Sequence, residues 1–592
     1  MSWLSRMGDW LDTRTSYRTF LAHALDEPVP GGARWAYIWG SVLVGCMTLQ
    51  AITGWAMMAY YAPSATTAWA SVEHLSYCVS GGWLVRGLHH FGAQAMVVVV
   101  GLHLAQVAIF GAYKAPREVN WWLGLGLLGI TLGFSLTGYL LPWDQKGYWA
   151  TRVATNIAGT VPLVGRFVQS LLQGGPEYGS LTLTRFYTLH VGLFPALLAL
   201  LLVLHLLLFR KHGVTPGARA NMFKVDRFYP AQLAKDVGGV LLMLVVVAVL
   251  AFREHGAPLD APADPASDYP ARPEWYFLSL FQMLKYFEGR LEVVGSVLIP
   301  GIAVAYLALL PLIDRASSRA LRSRFLYLVP LFAMGGAIVA LTVMSVRADR
   351  RDEAFQKARV LAGKRSEAAM TLAKCGLIPP DGPLAMLRRD PETRGTALFQ
   401  EHCASCHRLG ELGPTPQKAT APDLTGWGTA EWAMSMLEDP DAAQRFGQTS
   451  YKGEMISLVK PPADPKKAKT FKPMPEADRK LIVAFLAGEA AEAKDPQHDA
   501  QGAKLIAQRC TACHLFRGQT DDDDSAGPEL AGWGSLAWTR AHIANPGTNT
   551  TYRADAMNPE RKGHMPRFDD KLEPDDVNLL AAWVRKKARG GK

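Results

Sequence analysis

Long apolar runs alternate with short polar segments over the first 346 residues, and the rest of the chain is polar and mixed. Seven apolar stretches occur there, at 35–61, 87–112, 118–141, 186–209, 237–252, 293–313 and 325–346. Most of them reach the roughly 20 residues that an α-helix needs to cross about 30 Å of hydrocarbon. The pattern therefore predicts seven membrane spans, of which the short 237–252 stretch has the least defined ends.

The segments that flank the spans have a different character. Residues 1–34 lack a continuous apolar core, so they predict an amphipathic interfacial helix rather than a cleavable signal peptide. Residues 347–392 predict a linker with a Lys- and Arg-rich helix. The expected fold class is mainly α: a polytopic membrane helix bundle followed by two small all-α domains.

An internal repeat occupies the polar part of the chain. CASCH at 403–407 returns as CTACH at 510–514, and APDLTGWG at 421–428 returns as GPELAGWG at 527–534. A Met-Pro pair then precedes a predicted helix in each copy. The first two elements recur at a nearly constant interval, which favours a duplication. We expect one domain at 393–490 (repeat 1) and another at 497–592 (repeat 2).

Net charge is +10, and only 19% of residues are charged. Basic residues cluster in the loops after the second, fourth and sixth stretches: Lys114, Arg117, Arg210, Lys211, Arg219, Lys224, Arg227, Arg315, Arg319, Arg322 and Arg324. The positive-inside rule makes these loops and the N-terminus cytoplasmic, and an odd number of spans then puts both repeats outside. The basic run at 347–351 opposes this weakly. The excess charge thus indicates membrane topology and not nucleic-acid binding.

Each C-x-x-C-H motif is typical of covalent haem attachment, because two thiols bind the vinyl groups and the following His reaches the iron. The pairs are Cys403 and Cys406 with His407, and Cys510 and Cys513 with His514. A zinc knuckle or a redox dithiol is the alternative. A Met thioether usually completes such a site. We expect Met474 and Met565 in that role, with Met455 a rival in repeat 1 and His564 in repeat 2.

Two matched histidine pairs lie in the apolar part. His89 and His103 are 14 residues apart on the second span, and His190 and His205 are 15 apart on the fourth. Each pair is separated by roughly 21 Å along its helix. Ionisable residues in spans are costly and usually functional. Two facing helices therefore predict two bis-imidazole haem sites, with His89 and His190 at one and His103 and His205 at the other. His90 is expected to face away.

Glycines repeat the same interval on the neighbouring spans. Gly40 and Gly54 lie 14 apart on the first, and Gly124 and Gly138 lie 14 apart on the third. A glycine lets a bulky macrocycle approach the backbone. We interpret these four as haem-packing positions, and the alternative is ordinary helix packing.

The cysteines outside the haem motifs are Cys46, Cys78 and Cys375. Cys46 is expected to pack inside a span. A bridge between Cys78 and Cys375 is possible on an oxidising outer side, but two unrelated thiols are the preferred interpretation, since pairing cannot be derived from spacing.

Several strings resemble the cytochrome b of the cytochrome bc and b6f complexes over about residues 10–346. They are GGWLVRGLHHFGA at 81–93, GYLLPWDQKGYWAT at 138–151, LTRFYTLHVGLFP at 183–195 and PEWYFLSLF at 273–281. The 15-residue histidine spacing and seven spans are similar to the b6f branch, with its two chains fused as a four-helix di-haem core (35–232) and a three-helix part (233–346). Ile38 stands where that branch has a cysteine for an extra haem, so none is expected. The repeat resembles class I cytochrome c.

The resemblance implies a quinol:cytochrome c oxidoreductase subunit with two haems b and two covalent haems c. Glu274 would accept a proton from quinol at an outer site, Tyr276 would line that site, and 144–165 would form its wall. Arg210 would belong to an inner quinone site. Implied partners are a Rieske iron–sulfur protein, membrane quinol and quinone, and a cytochrome c or terminal oxidase. A homodimeric complex in a bacterial inner membrane is expected, with coupled proton translocation.

Two other classes of function compete. A di-haem electron-transfer anchor of another respiratory complex, without bifurcation, is disfavoured by the PEWY string and the last three spans. A non-redox scaffold is disfavoured by the histidine pairs and the two C-x-x-C-H motifs.

Overall fold

The computed structural model describes residues 3–590 except 219, 268, 375, 450, 462–470, 494–495, 522–526, 549–550 and 553–564. The chain is mostly helical and forms two compact units, Met1–Met386 and Leu387–Lys592. The first unit carries the apolar helices and the second carries both repeats. The expected fold class is confirmed.

Seven helices of the described chain are long and apolar enough to cross a membrane. They are Trp39–Met58, Gly82–Phe110, Glu118–Leu140, Ser180–His212, Phe228–Arg253, Val294–Ile313 and Leu321–Arg351, here called the first to seventh spans. The fifth span has 26 residues and so exceeds the short apolar run from which it was predicted. Its first turns are polar, and hydropathy alone does not detect them.

Packing joins the histidine-bearing spans to the glycine-bearing spans. The first span packs against the second and the fifth, and the third packs against the fourth. Each histidine-bearing span therefore lies beside a span that carries two of the glycines. The N-terminal segment forms two helices rather than one, Trp3–Thr15 and Tyr17–Leu25, because Ser16 takes a left-handed conformation with φ of 52°. Strand Pro28–Pro30 pairs antiparallel with Val225–Arg227.

Helices between the spans were not predicted in detail. Ala68–Tyr77 follows the first span, and Gln145–Gly159 and Gly165–Gln173 follow the third. Asp144 caps the second of these through the Gly147 N–H at 2.8 Å. Burial raises the pKa of Asp144 to about 6, and the nearby Asp260 acts in the same direction.

Beyond the seventh span lie helices Glu353–Ala373 and Pro383–Arg389. Each repeat then has a first, a middle and a last helix: Pro391–His402, Ala430–Glu438 and Glu476–Ala491 in repeat 1, and Pro496–Arg509, Leu536–Ala544 and Pro574–Ala588 in repeat 2. Residues of both repeats share one apolar core that includes Phe399, Trp427, Phe485, Trp533 and Trp583.

Candidate haem-binding and quinol sites

The four span histidines meet in two pairs. The ring centroids of His89 and His190 are 6.4 Å apart, and those of His103 and His205 are 6.5 Å apart. An imidazole nitrogen binds a first-row metal at about 2 Å and lies about 1.2 Å from its ring centre, so two rings on one metal have centroids about 6.4 Å apart. The spacing fits one haem iron between each pair.

Each of the four glycines faces one of the four histidines. A Cβ atom on Gly138 would lie 2.6 Å from Cε1 of His190, and one on Gly54 would lie 3.2 Å from Cε1 of His89. The corresponding distances are 3.4 Å from Gly124 to His205 and 3.7 Å from Gly40 to His103. These glycines thus leave room for the imidazoles.

Threonines orient the histidines of the first pair. The hydroxyl of Thr53 donates to the Leu49 carbonyl at 2.6 Å and lies 2.9 Å from Nδ1 of His89. Because a hydroxyl has one proton, Nδ1 of His89 is the donor. Thr137 repeats the arrangement with its own helix carbonyl and with His190 Nδ1 at 3.1 Å. Nε2 of each ring is therefore left to bind a metal.

The second pair is oriented differently. Nδ1 of His205 lies 3.1 Å from the Asn120 carbonyl oxygen, to which it donates. Nδ1 of His103 is buried and has no hydrogen-bond partner within the described part of the chain.

A π-helical turn at Leu189–Leu193 explains the unequal histidine spacing. Such a turn accommodates one extra residue in an α-helix and often occurs at functional sites. The 15-residue interval from His190 to His205 therefore places both histidines on one face of the fourth span, as the 14-residue interval from His89 to His103 does on the second. Both imidazoles of the fourth span face the second span.

The two C-x-x-C-H motifs have the same local geometry. All four thiols are free, and each histidine closes a helical turn onto the first cysteine of its motif, at 2.9 Å in both copies. His407 Nδ1 lies 2.9 Å from the Pro422 carbonyl oxygen, and His514 Nδ1 lies 3.1 Å from that of Pro528. Burial lowers the pKa of both imidazoles, which leaves Nε2 unprotonated for a metal.

A zinc knuckle needs four ligands. Across the ranges that the structure describes, no group of three or more His, Cys, Asp or Glu side chains could hold a metal ion. The motifs fit covalent haem, in which the macrocycle itself supplies four of the iron ligands.

The candidate methionines lie in or against the shared core. Met474 is buried, and Met455 and Met565 are half-buried. His564 lies outside the described residues. Sequence reasoning missed His542 of repeat 2: burial lowers its pKa to about 3, and His407 of repeat 1 contributes to that shift. His542 therefore lies close to the haem motif of the other repeat.

The PEWY string forms a cluster with the second and third spans. Glu274 Oε1 accepts from Lys146 Nζ at 2.7 Å, which brings the 144–165 segment against it. Trp275 Nε1 donates to Gln94 at 3.3 Å, and Gln94 binds His90 Nε2 at 2.8 Å. His90, which is adjacent to a proposed haem ligand, thus has its ring engaged in this cluster.

Tyr276 reaches the third span, where its hydroxyl lies close to the Ser135 side chain. Ser135 is two residues from Thr137, the partner of His190. The PEWY cluster therefore adjoins the His89–His190 pair. Sequence reasoning did not anticipate Lys146, because 128 residues separate it from Glu274.

Arg210 lies apart from this cluster, in the last turn of the fourth span, and forms an ion pair with Glu27. Cys46 is fully buried among apolar side chains of the first, second and fifth spans. Cys78 is disulfide-bonded, so the preferred interpretation of two unrelated thiols is wrong for it. Cys375 lies outside the described residues.

Family models match most of the chain. Cytochrome b (N-terminal)/b6/petB matches residues 94–262, cytochrome b (C-terminal)/b6/petD matches 262–360, and cytochrome c matches 392–488 and 500–587. The two cytochrome c matches coincide with the two repeats.

Known proteins are similar over the membrane part. Cytochrome b6 of Prochlorococcus marinus (strain NATL1A) is 39% identical over 207 residues, which cover 35% of this chain and 95% of that protein. Cytochrome b of Cereibacter sphaeroides is 31% identical over 363 residues, 56% of this chain and 81% of that protein. A solved hyperthermophilic respiratory Complex III chain has a TM-score of 0.51 and 26% identity, and the match covers 62% of this chain and 97% of that one.

The fold and the paired histidines define a multi-pass membrane electron-transfer protein. The chain belongs to the cytochrome b family, with both cytochrome b parts in one polypeptide and cytochrome c domains at its C-terminal end. It is a cytochrome b of a complex resembling respiratory Complex III, and its domains imply both haem b and covalently bound haem c.

Proposed function

We propose that the chain is the quinol-oxidising subunit of a quinol:cytochrome c reductase. The observation that carries this is the placement of Glu274 in a cluster that adjoins only one of the two histidine pairs. A carboxylate there can receive a proton from quinol close to the first electron acceptor of the membrane part. A bare electron-transfer anchor needs no such group.

Glu274 acts in this proposal as a general base. Quinol loses two electrons and two protons on becoming quinone, and a carboxylate within hydrogen-bond reach can accept one of those protons. Lys146 keeps the carboxylate paired at 2.7 Å, and its own side chain is one-third exposed. Lys146 thus extends the cluster toward water, and Tyr276 lines the site beside Ser135.

Haems at the two histidine pairs would carry electrons across the membrane. Both imidazoles of the His89–His190 pair donate Nδ1–H to a threonine, whereas in the other pair only Nδ1 of His205 has a hydrogen-bond partner among the described residues. Donation from Nδ1 makes a histidine a more basic ligand and so favours the oxidised metal. The His103–His205 site would then have the higher potential, which drives the electron toward it.

The remaining roles follow from the family. The proposal places Glu274, His89 and His190 on the outer, periplasmic side of a bacterial inner membrane, with the N-terminus in the cytoplasm. Arg210 would belong to the inner quinone site. The second electron of each quinol would pass through a Rieske iron–sulfur protein to two c haems on this chain, and from them to a cytochrome c or a terminal oxidase. The complex is proposed to be a homodimer that couples this reaction to proton translocation.

The substitution Glu274→Gln tests the proposal. We expect it to slow quinol-driven reduction of the b haems by about 100-fold or more, since general bases contribute about 100- to 10,000-fold. Haem content and reduction of the c haems by ascorbate should not change. Glu288→Gln is the control, because Glu288 is exposed in the same inter-span segment. Unchanged b-haem reduction in Glu274→Gln would show that another group accepts the proton.

A further inference from the structure

The helices of the two repeats are paired crosswise. The first helix of repeat 1 packs against the last helix of repeat 2, and the last helix of repeat 1 packs against the first helix of repeat 2. Within the described residues, neither first helix has extensive packing with the last helix of its own repeat. The middle helix of each repeat stays with its own last helix.

Close contacts fix the first of these crossed pairs. A Cβ on Gly395 would lie 2.2 Å from Cγ of Trp583, so the absence of a side chain there lets the indole sit against the helix backbone. Arg394 forms an ion pair with Asp576 at 2.5 Å. Phe399 adds a ring contact with Trp583 at 5.7 Å between centroids. All three contacts join repeat 1 to repeat 2.

The second crossed pair has equivalent contacts. A Cβ on Gly502 would lie 2.5 Å from Cβ of Phe485, and Gly502 occupies the position in repeat 2 that Gly395 has in repeat 1. Arg509 forms an ion pair with Asp478 at 2.7 Å. The exchange is therefore reciprocal.

The Gly-Trp-Gly string of each repeat lies where the chain passes from the first helix to the middle and last helices. The ring of Trp427 lies 5.6 Å from that of Trp533, and the Gly426 N–H donates to the Ala588 carbonyl at 2.8 Å. Gly428 and Gly534 have φ of 81° and 71°, which only glycine adopts readily. The same string in both repeats thus supplies the turn after which the chain packs against the first helix of the other repeat.

This crossing puts the haem motif of each repeat beside the methionine segment of the other. His402, directly before Cys403, has its ring 6.0 Å from that of Phe568, three residues after Met565. Arg509, directly before Cys510, binds Asp478, four residues after Met474.

We infer that the repeats exchange the segments that carry their middle and last helices and that both repeats ligate each c haem. Cys403, Cys406 and His407 of repeat 1 share a haem with Met565 of repeat 2, and Cys510, Cys513 and His514 share a haem with Met474 of repeat 1. This rests on the c-haem part of the proposed function. The sequence predicts that each repeat supplies its own methionine. The crossed arrangement keeps Met474 and Met565 as ligands but assigns each of them to the haem of the other repeat.

A full-length chain with a single c haem tests the assignment. Cys510→Ala with Cys513→Ala leaves only the haem on Cys403 and Cys406, and Met565→Ala, Met474→Ala and Met455→Ala are then compared in this background. The readouts are the methionine-to-iron charge-transfer band of the oxidised protein, which bis-histidine b haems lack, and the midpoint potential of the remaining c haem. Thioether ligation raises that potential.

Crossed ligation predicts that Met565→Ala removes the band and lowers the potential, while Met474→Ala and Met455→Ala leave both unchanged. Loss of the band in either of the latter two, with Met565→Ala unaffected, overturns the inference. A chain that carries no covalent haem at all would instead contradict haem attachment itself, so the two failures are distinguishable.

Zero-length carbodiimide cross-linking of the unaltered complex tests the helix exchange without any substitution. Glu392 lies 2.6 Å from Lys586 and 2.9 Å from Lys587. We expect mass spectrometry of the monomeric chain to find Glu392 joined to these lysines, with the Glu476–Lys480 pair at 2.7 Å as a positive control. Glu392 joined to Lys480 and not to the last helix of repeat 2 would contradict the exchange.

Discussion

Four glycines and four histidines form the most regular feature of the membrane part. Gly54 and Gly138 face His89 and His190, and Gly40 and Gly124 face His103 and His205. The glycine interval of 14 residues, equal to that between His89 and His103, made this arrangement predictable, because equal intervals on neighbouring helices keep partners level. Which glycine approaches its imidazole most closely depends on how the spans pack, and Gly138 has the least space.

Gly138→Ala should displace the His190 ring, since the new Cβ would lie 2.6 Å from Cε1. We expect loss of the haem at the His89–His190 site, which would lower the b-haem content of the purified protein by up to half. Gly129→Ala on the same span is the matched control, because nothing lies within 4 Å of its Cβ position. Reduced-minus-oxidised spectra measure both variants. A full b-haem content in Gly138→Ala would show that the spans can separate at this point.

Arg324 joins three spans at the end of the membrane part where the basic loops lie. Its fully buried guanidinium donates to the Ala108 carbonyl at 2.8 Å and the Ile109 carbonyl at 2.6 Å, both in the last turn of the second span. Asp314, after the sixth span, lies 4.0 Å away and also pairs with Lys114 at 2.7 Å. The positive-inside rule treated Arg324 only as a charge in a loop. In the structure its side chain connects the second span with the sixth and seventh, and so it joins the two parts of cytochrome b.

Arg324→Met should destabilise the membrane part by about 1–3 kcal/mol, because it removes the guanidinium donor from the carbonyls in the last turn of the second span. Thermal unfolding in detergent, followed by loss of b-haem absorbance, measures the change. Arg322→Met, at an exposed neighbouring position, should leave the midpoint within error. Equal midpoints for the two variants would mean that Arg324 adds no net stability.

The chain as a whole combines a cytochrome b with two cytochrome c repeats, each with a full haem motif. Both histidine pairs have the separation that one iron requires, and all four motif cysteines are free to bind haem. We therefore expect four haems in each chain, two b and two c.

Pyridine haemochrome analysis should give haem b and haem c in a 1:1 ratio. Only haem b should be extracted by acidified acetone, because thioether bonds retain haem c. Replacing Cys510 and Cys513 by Ser should change the ratio to about 2:1, since one covalent site is lost and the b sites lie in the other compact unit. A 2:1 ratio in the unaltered protein would mean that one motif carries no haem.

The sequence by itself determined the seven spans, the two haem motifs and the histidine and glycine intervals. Each of these depends on residues close in the chain, on hydropathy or on helical periodicity, which act before any tertiary contact forms. In the sequence, the π-helical turn at Leu189–Leu193 appeared only as a histidine interval of 15 residues where the second span has 14. Its structural reason becomes evident only when the fourth span is compared with the second.

Only the tertiary structure decided which distant groups meet. Lys146 joins Glu274 across 128 residues, and the charge pattern contains nothing to select that pair. The crossed helices of the repeats show the same limit more sharply. Gly395 could face an aromatic residue on the last helix of either repeat, Phe485 or Trp583, because duplication gave both helices similar faces. Because the two last helices are equivalent partners, local sequence does not select which of them packs on a given first helix. The packing of the whole core selects the last helix of the other repeat.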